Sequence, residues 1–162
     1  MKSIAFIFLL LCFNTALIAQ VSINISELEF LDKTSWSGSL MYVNYGDGKE
    51  VTLRTTMQIE IKGDKIVMNM QFTDEPGANS KSNIKLKKDG TYFGDEKIIE
   101  RTNLEDGTLK IVTTFEGDDN NKPATMLKTY LIGKNEFSIT KKVNFKNSDE
   151  ALVRNRYTYS KV

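Results

Sequence analysis

Trp36-Ser37-Gly38-Ser39-Leu40-Met41-Tyr42-Val43-Asn44-Tyr45, then Gly46-Asp47-Gly48, then the run from Val51 to Ile61, reads as two long antiparallel strands joined by a tight turn. In the second arm Val51, Leu53, Thr55, Met57, Ile59 and Ile61 share one face. Thr52, Arg54, Thr56, Gln58, Glu60 and Lys62 share the other. Side chains alternate across a strand, so this arm has one dry side and one wet side, as an antiparallel sheet allows.

Outward from that hairpin the same grammar repeats. Ile66, Met68, Met70 and Phe72 fall together, and later Leu109, Ile111, Thr113 and Phe115. Turn chemistry punctuates the chain at Asp47-Gly48, Gly63-Asp64, Pro76-Gly77, Asp89-Gly90, Asp106-Gly107, Asp119 to Pro123, Gly133 to Asn135 and Lys146 to Asp149. Asp or Asn beside Gly supplies the positive φ that tight hairpins need. The signals recur roughly every 13 to 17 residues, wider than the spacing of about 8–12 typical of sandwich domains. No segment offers the helical crossover that parallel strands require. The expectation is an all-β, antiparallel up-and-down meander of about nine strands. A sheet of that width removes its two raw edges by closing into a barrel, whose interior holds side chains or one small ligand.

Residues 1–19 stand apart: Lys2, a nearly unbroken apolar run from Ile4 to Phe13, then Ala16-Leu17-Ile18-Ala19. This is the pattern of a secretory signal peptide, cleaved near Ala19, and predicts export to a periplasmic or extracellular space. Cys12 lies inside the run behind Leu11, which is not the small residue that lipid attachment prefers, so it reads as an ordinary apolar position. The mature chain then has no cysteine, and stability must come from a core; 143 residues (162 minus 19) bury about 68% of the unfolded surface.

Without Lys2 the chain balances 21 basic against 21 acidic side chains (22 minus one, against 21). No basic stripe points to nucleic acid or an anionic membrane. Histidine is absent, which removes Ser-His and Cys-His catalysis and the commonest ligand of zinc, iron and haem. No cofactor, metal site or catalytic motif is expected, and nothing signals an oligomeric state. Residues 20–35 form a separate N-terminal segment: Ser26 and Glu29 have capping-box spacing, and Leu28, Phe30 and Leu31 suggest a short helix leaning on the barrel of 36–162.

The segment Leu28-x-x-Leu31, followed by Trp36-x-Gly38-x-Leu40-x-Tyr42 and a meander that ends in Arg154-Asn155-Arg156-Tyr157-Thr158-Tyr159, resembles the calycin group of barrels: lipocalins, fatty-acid-binding proteins and nitrobindin-like proteins. The resemblance implies an internal cavity for a small, mostly apolar ligand. It also implies that Trp36 closes one barrel end with an arginine of the last strand, Arg156, near its ring. Thr34 stands where lipocalins usually carry Gly, the last strand lacks Arg-x-Tyr, and no histidine can hold haem, so the resemblance names no specific ligand.

From the apolar faces, the expected lining is Tyr42, Met57, Met70, Phe72, Phe115 and Tyr157. Lys141 interrupts the face formed by Phe137, Ile139, Val143 and Phe145. An ammonium there needs a partner, a bulge at Lys141-Lys142, or a stem that lets its head reach water. On the last strand the tyrosines are expected inward and Arg154 and Arg156 outward. The methionines read as adaptable core filler, and Gly117 to Asn121 as a polar hairpin tip. The functional expectation is a non-enzymatic binder of a small apolar or amphipathic molecule. The alternative is a protein-interaction domain with a filled core, acting through its loops or surface.

Overall fold

The computed structural model describes residues 21–146, 149 and 151–162; the expected leader and Cys12 lie outside them. Ten antiparallel strands form the described fold: β1 Thr34–Val43, β2 Glu50–Lys62, β3 Lys65–Phe72, β4 Ser80–Lys87, β5 Tyr92–Phe93, β6 Glu96–Asn103, β7 Leu109–Asp119, β8 Lys122–Ile132, β9 Glu136–Phe145 and β10 Ala151–Lys161. Each pairs with its sequence neighbours, and β1 also pairs with β10, so the meander closes into a barrel. The seam is continuous from Trp36 opposite Lys161 to Tyr42 opposite Asn155.

The strand beyond the expected nine is β5, only two residues long. It lies between a turn in which Lys88, Asp89 and Gly90 all take positive φ and a second turn at Gly94, φ 70°. Among the described residues the other turns sit where the sequence puts them; the expected turn at Lys146 to Asp149 lies partly outside those residues. Asn120 and Asn121 both take positive φ, 51° and 58°, and form the two-residue link from β7 to β8.

The N-terminal segment is a 3-10 helix, Ile25–Leu31. Its capping box uses Asn24 and Glu27, two residues ahead of the expected Ser26 and Glu29; Asn24 also begins an N-x-x-E spacing, and its amide oxygen accepts from the Ser26 N–H at 3.1 Å. A helix this short has little stability of its own, and three contacts hold it across one barrel end. Leu28 and Leu31 are fully buried in the main core. Glu27 pairs with Arg101 of β6, and the Asp32 carboxylate accepts from the Ile61 N–H at 2.8 Å.

The interior is unevenly filled. At the helix end one continuous core joins Leu28 and Leu31 to Trp36, Met57, Ile59 and Phe137. The indole N–H of Trp36 donates to the Thr34 hydroxyl at 2.8 Å, and that hydroxyl donates to the Leu31 carbonyl at 2.6 Å, so no buried polar group is stranded there. Toward the other end the packing divides into two small clusters, Leu40, Leu53 and Phe72 on one side and Ala124, Met126 and Val143 on the other.

Candidate functional site

Between those clusters the barrel holds a cavity of about 740 Å³. Met68, Met70, Phe93, Phe115, Ile139 and Tyr157 supply its apolar surface. Ser82, Glu96, Lys128, Lys141 and Asn155 supply its polar groups. The cavity reaches solvent through the wall. Strand β4 pairs with β5 only at Leu86 and Lys87, and β7 pairs with β6 only as far as Thr114. Ser80 to Ile84 and Phe115 to Asp119 therefore have no ladder partner on the sides that face each other, among the described residues. Exposed Asn83, Asp95 and Glu116 line this gap. The shortness of β5 is what leaves it open.

The inward charges come as two ion pairs. Glu96 accepts from Lys128, from the Thr113 hydroxyl at 2.6 Å and from the Tyr130 hydroxyl at 3.2 Å. Lys141 donates to Asp119 at 2.8 Å. Lys128 and Lys141 stand directly opposite each other across β8 and β9, and each turns to its own acid. Behind Asp119, the Arg154 guanidinium reaches the same carboxylate at 3.7 Å, donates to the Val43 carbonyl and lies 3.7 Å from the Tyr45 ring centroid. These contacts offset charges that would be costly alone in a low-dielectric interior, although the Asp119 Oδ1 that faces Arg154 accepts no hydrogen bond among the described residues.

Of the expected lining residues, the structure brings Met70, Phe115, Lys141 and Tyr157 together around the cavity. Met57 lies deeper, fully buried in the core below Trp36. Tyr42 and Phe72 pack beside the cavity with Leu40 and Leu53. Lys141 points inward with the β8–β9 register unbroken, so no bulge lies at Lys141-Lys142. The bulge falls on β10 between Val153 and Asn155, and it turns Arg154 toward Asp119, against the outward orientation expected of it. Arg156 is exposed, opposite Met41 and Thr140. Trp36 instead has Phe137 as its ring neighbour, centroids 6.0 Å apart.

The sequence reading passes over Glu96, Lys128 and Ser82, and takes Asp119 for part of a polar hairpin tip. Lys128 carried the same signal as Lys141, a lysine between Met126 and Tyr130 on an apolar alternation. Among the described residues no group of three or more cysteine, aspartate or glutamate side chains could hold a metal ion, and no helix is long and apolar enough to cross a membrane. Comparison with protein-family models and with curated proteins finds no match to this chain.

Three tyrosines set an alkaline limit on the fold. Burial pushes the Tyr130 hydroxyl well above its ordinary range, with the Glu96 charge adding to it. Burial also raises Tyr157 and pushes Tyr159 up to about 12. An acid whose pKa is raised by folding gives stability that is complete below the unfolded value of about 10 and lost as pH climbs through the folded value. Stability should fall steeply from about pH 10 to 12. A late step in tyrosinate absorbance should coincide with loss of near-ultraviolet circular dichroism; complete ionisation of all tyrosines in a still-folded protein would contradict this placement.

Proposed function

We propose that the chain is an exported calycin-like protein that holds a small apolar or amphipathic molecule inside its barrel. The observation that carries this reading is the cavity. Its volume lies within the roughly 300–1,000 Å³ of small-molecule sites, and its wall sets apolar side chains beside polar and charged ones, as suits an amphipathic occupant. The gap between β4 and β7 gives a way in without unfolding an end. The apolar leader pattern of residues 1–19 supports export.

Trp36 is a poor reporter of occupancy, because it lies under the helix and not on the cavity wall. A neutral fluorescent probe, N-phenyl-1-naphthylamine, tests the reading directly. It should brighten on binding with one-to-one stoichiometry. The variant Ile84→Trp, which fills the cavity from β4, should weaken that binding at least about tenfold. No brightening, or equal brightening by the filled variant, would place the probe elsewhere and defeat the proposal.

A further inference from the structure

We infer that the polar end of the bound molecule is an uncharged hydrogen-bond acceptor, such as an ester, amide or ketone carbonyl, and that the cavity disfavours the carboxylate of the same chain. The inference rests on the cavity being a ligand site, and its basis is which charges and hydrogen-bonding positions are already spent. Glu96 takes three donors, Lys128, Thr113 and Tyr130, and has little left for a ligand. Lys128 and Lys141 each give one ammonium hydrogen to a carboxylate, and an ammonium carries three. The remaining hydrogens belong to two neighbouring side chains on the cavity wall. From β4, on the opposite wall, the Ser82 hydroxyl is buried and has no partner among the described residues. Inside the wall the unspent positions are thus mainly donors: Asp95 and Glu116 stand exposed at the gap, and the unpartnered Asp119 Oδ1 lies behind Lys141, off the cavity surface.

Charge decides what kind of acceptor fits. Both wall ammoniums already have a carboxylate, Glu96 for Lys128 and Asp119 for Lys141. The charged side chains on the cavity surface are Asp95, Glu96, Glu116, Lys128 and Lys141, so acids outnumber bases. An incoming carboxylate meets an ammonium and, just behind it, the acid that ammonium already neutralises. To gain a full ion pair it must displace Glu96 or Asp119 and strand a partly or fully buried charge. A carbonyl oxygen takes the free N–H groups and leaves both pairs intact. An amine head beside the lysines meets two like charges side by side; Glu96 is already taken by three donors, and Asp95 and Glu116 stand exposed at the gap, where water screens them.

Competition against bound N-phenyl-1-naphthylamine at neutral pH tests this with four compounds of equal chain length: decanamide, methyl decanoate, decanoate and decylamine. The amide and the ester should displace the probe at concentrations at least about tenfold lower than the acid or the amine. Displacement by decanoate at equal or lower concentration overturns the inference and leaves ligand binding standing. Displacement by none of the four also overturns it, whereas failure of the naphthylamine itself to bind defeats the underlying reading. Asp119→Asn, which frees Lys141, should improve decanoate about tenfold and leave the ester unchanged. Glu96→Gln poses the same question at Lys128 should the first variant not fold. An unchanged acid-to-ester ratio in the folded variant would overturn the role given to the ion pairs.

Discussion

Gly38→Val should destabilise the protein by about 3 kcal/mol or more, at the upper end of what overpacking costs. Gly38 sits on β1 opposite Tyr159 of β10 and Thr55 of β2, at the seam that turns a sheet into a barrel. A Cβ built there would collide with the Thr158 carbonyl oxygen, and it would stand 2.9 Å from both the Thr158 carbonyl carbon and the Tyr159 Cα. All three obstacles are backbone. No rotamer change relieves them, and moving them means parting the β1–β10 ladder. Urea denaturation gives the loss, and hydrogen exchange should show the fastest new exchange at the seam amides. A variant within about 1 kcal/mol of the parent, with the seam still protected, would mean that the two strands are not held this closely.

Trp36→Ala is the second large effect, expected to cost about 4 kcal/mol. The indole is 1% exposed, packs on Phe137 and joins the helix to the strands through Thr34. Removing it leaves a void under a 3-10 helix that cannot collapse far, because Glu27 and Asp32 tie the helix down at both ends. Phe115→Ala should cost less, about 1–2 kcal/mol. Phe115 already borders open space, so its loss enlarges a cavity without creating one. Chemical denaturation of the two variants side by side checks the contrast. Equal losses would mean that the barrel is packed evenly along its length.

The contrast between these positions shows what the sequence reveals and where it stops. Alternation and turn chemistry are local, so the strand meander, the inward faces of β2 and β3 and the plugging segment can be read directly. A strand of two residues leaves no periodicity to detect, and β5 was hidden for that reason, although Gly94-Asp95 carries the same turn chemistry as the other hairpins. Bulges are equally silent. One extra residue at Val153–Asn155 reverses the side on which Arg154 emerges, and simple alternation cannot see it. Lys141 was conspicuous on its apolar face, but its partner was not. Asp118, Asp119, Asn120 and Asn121 look like a single polar tip, whereas only the two asparagines make the turn and Asp119 is the last inward position of β7.

The same gap that opens the cavity leaves β4 with a bare run of backbone donors and acceptors, the kind of edge on which proteins stack into fibrils. The outward side chains of that strand are Lys81, Asn83, Lys85 and Lys87, all exposed. A second molecule bringing its own β4 alongside would set lysine against lysine, and the repulsion would oppose sheet growth at low ionic strength. Concentrated salt shortens the reach of those charges to about 3 Å at 1 M. Crowded, salty solutions are therefore where this protein is most exposed to strand-by-strand polymerisation.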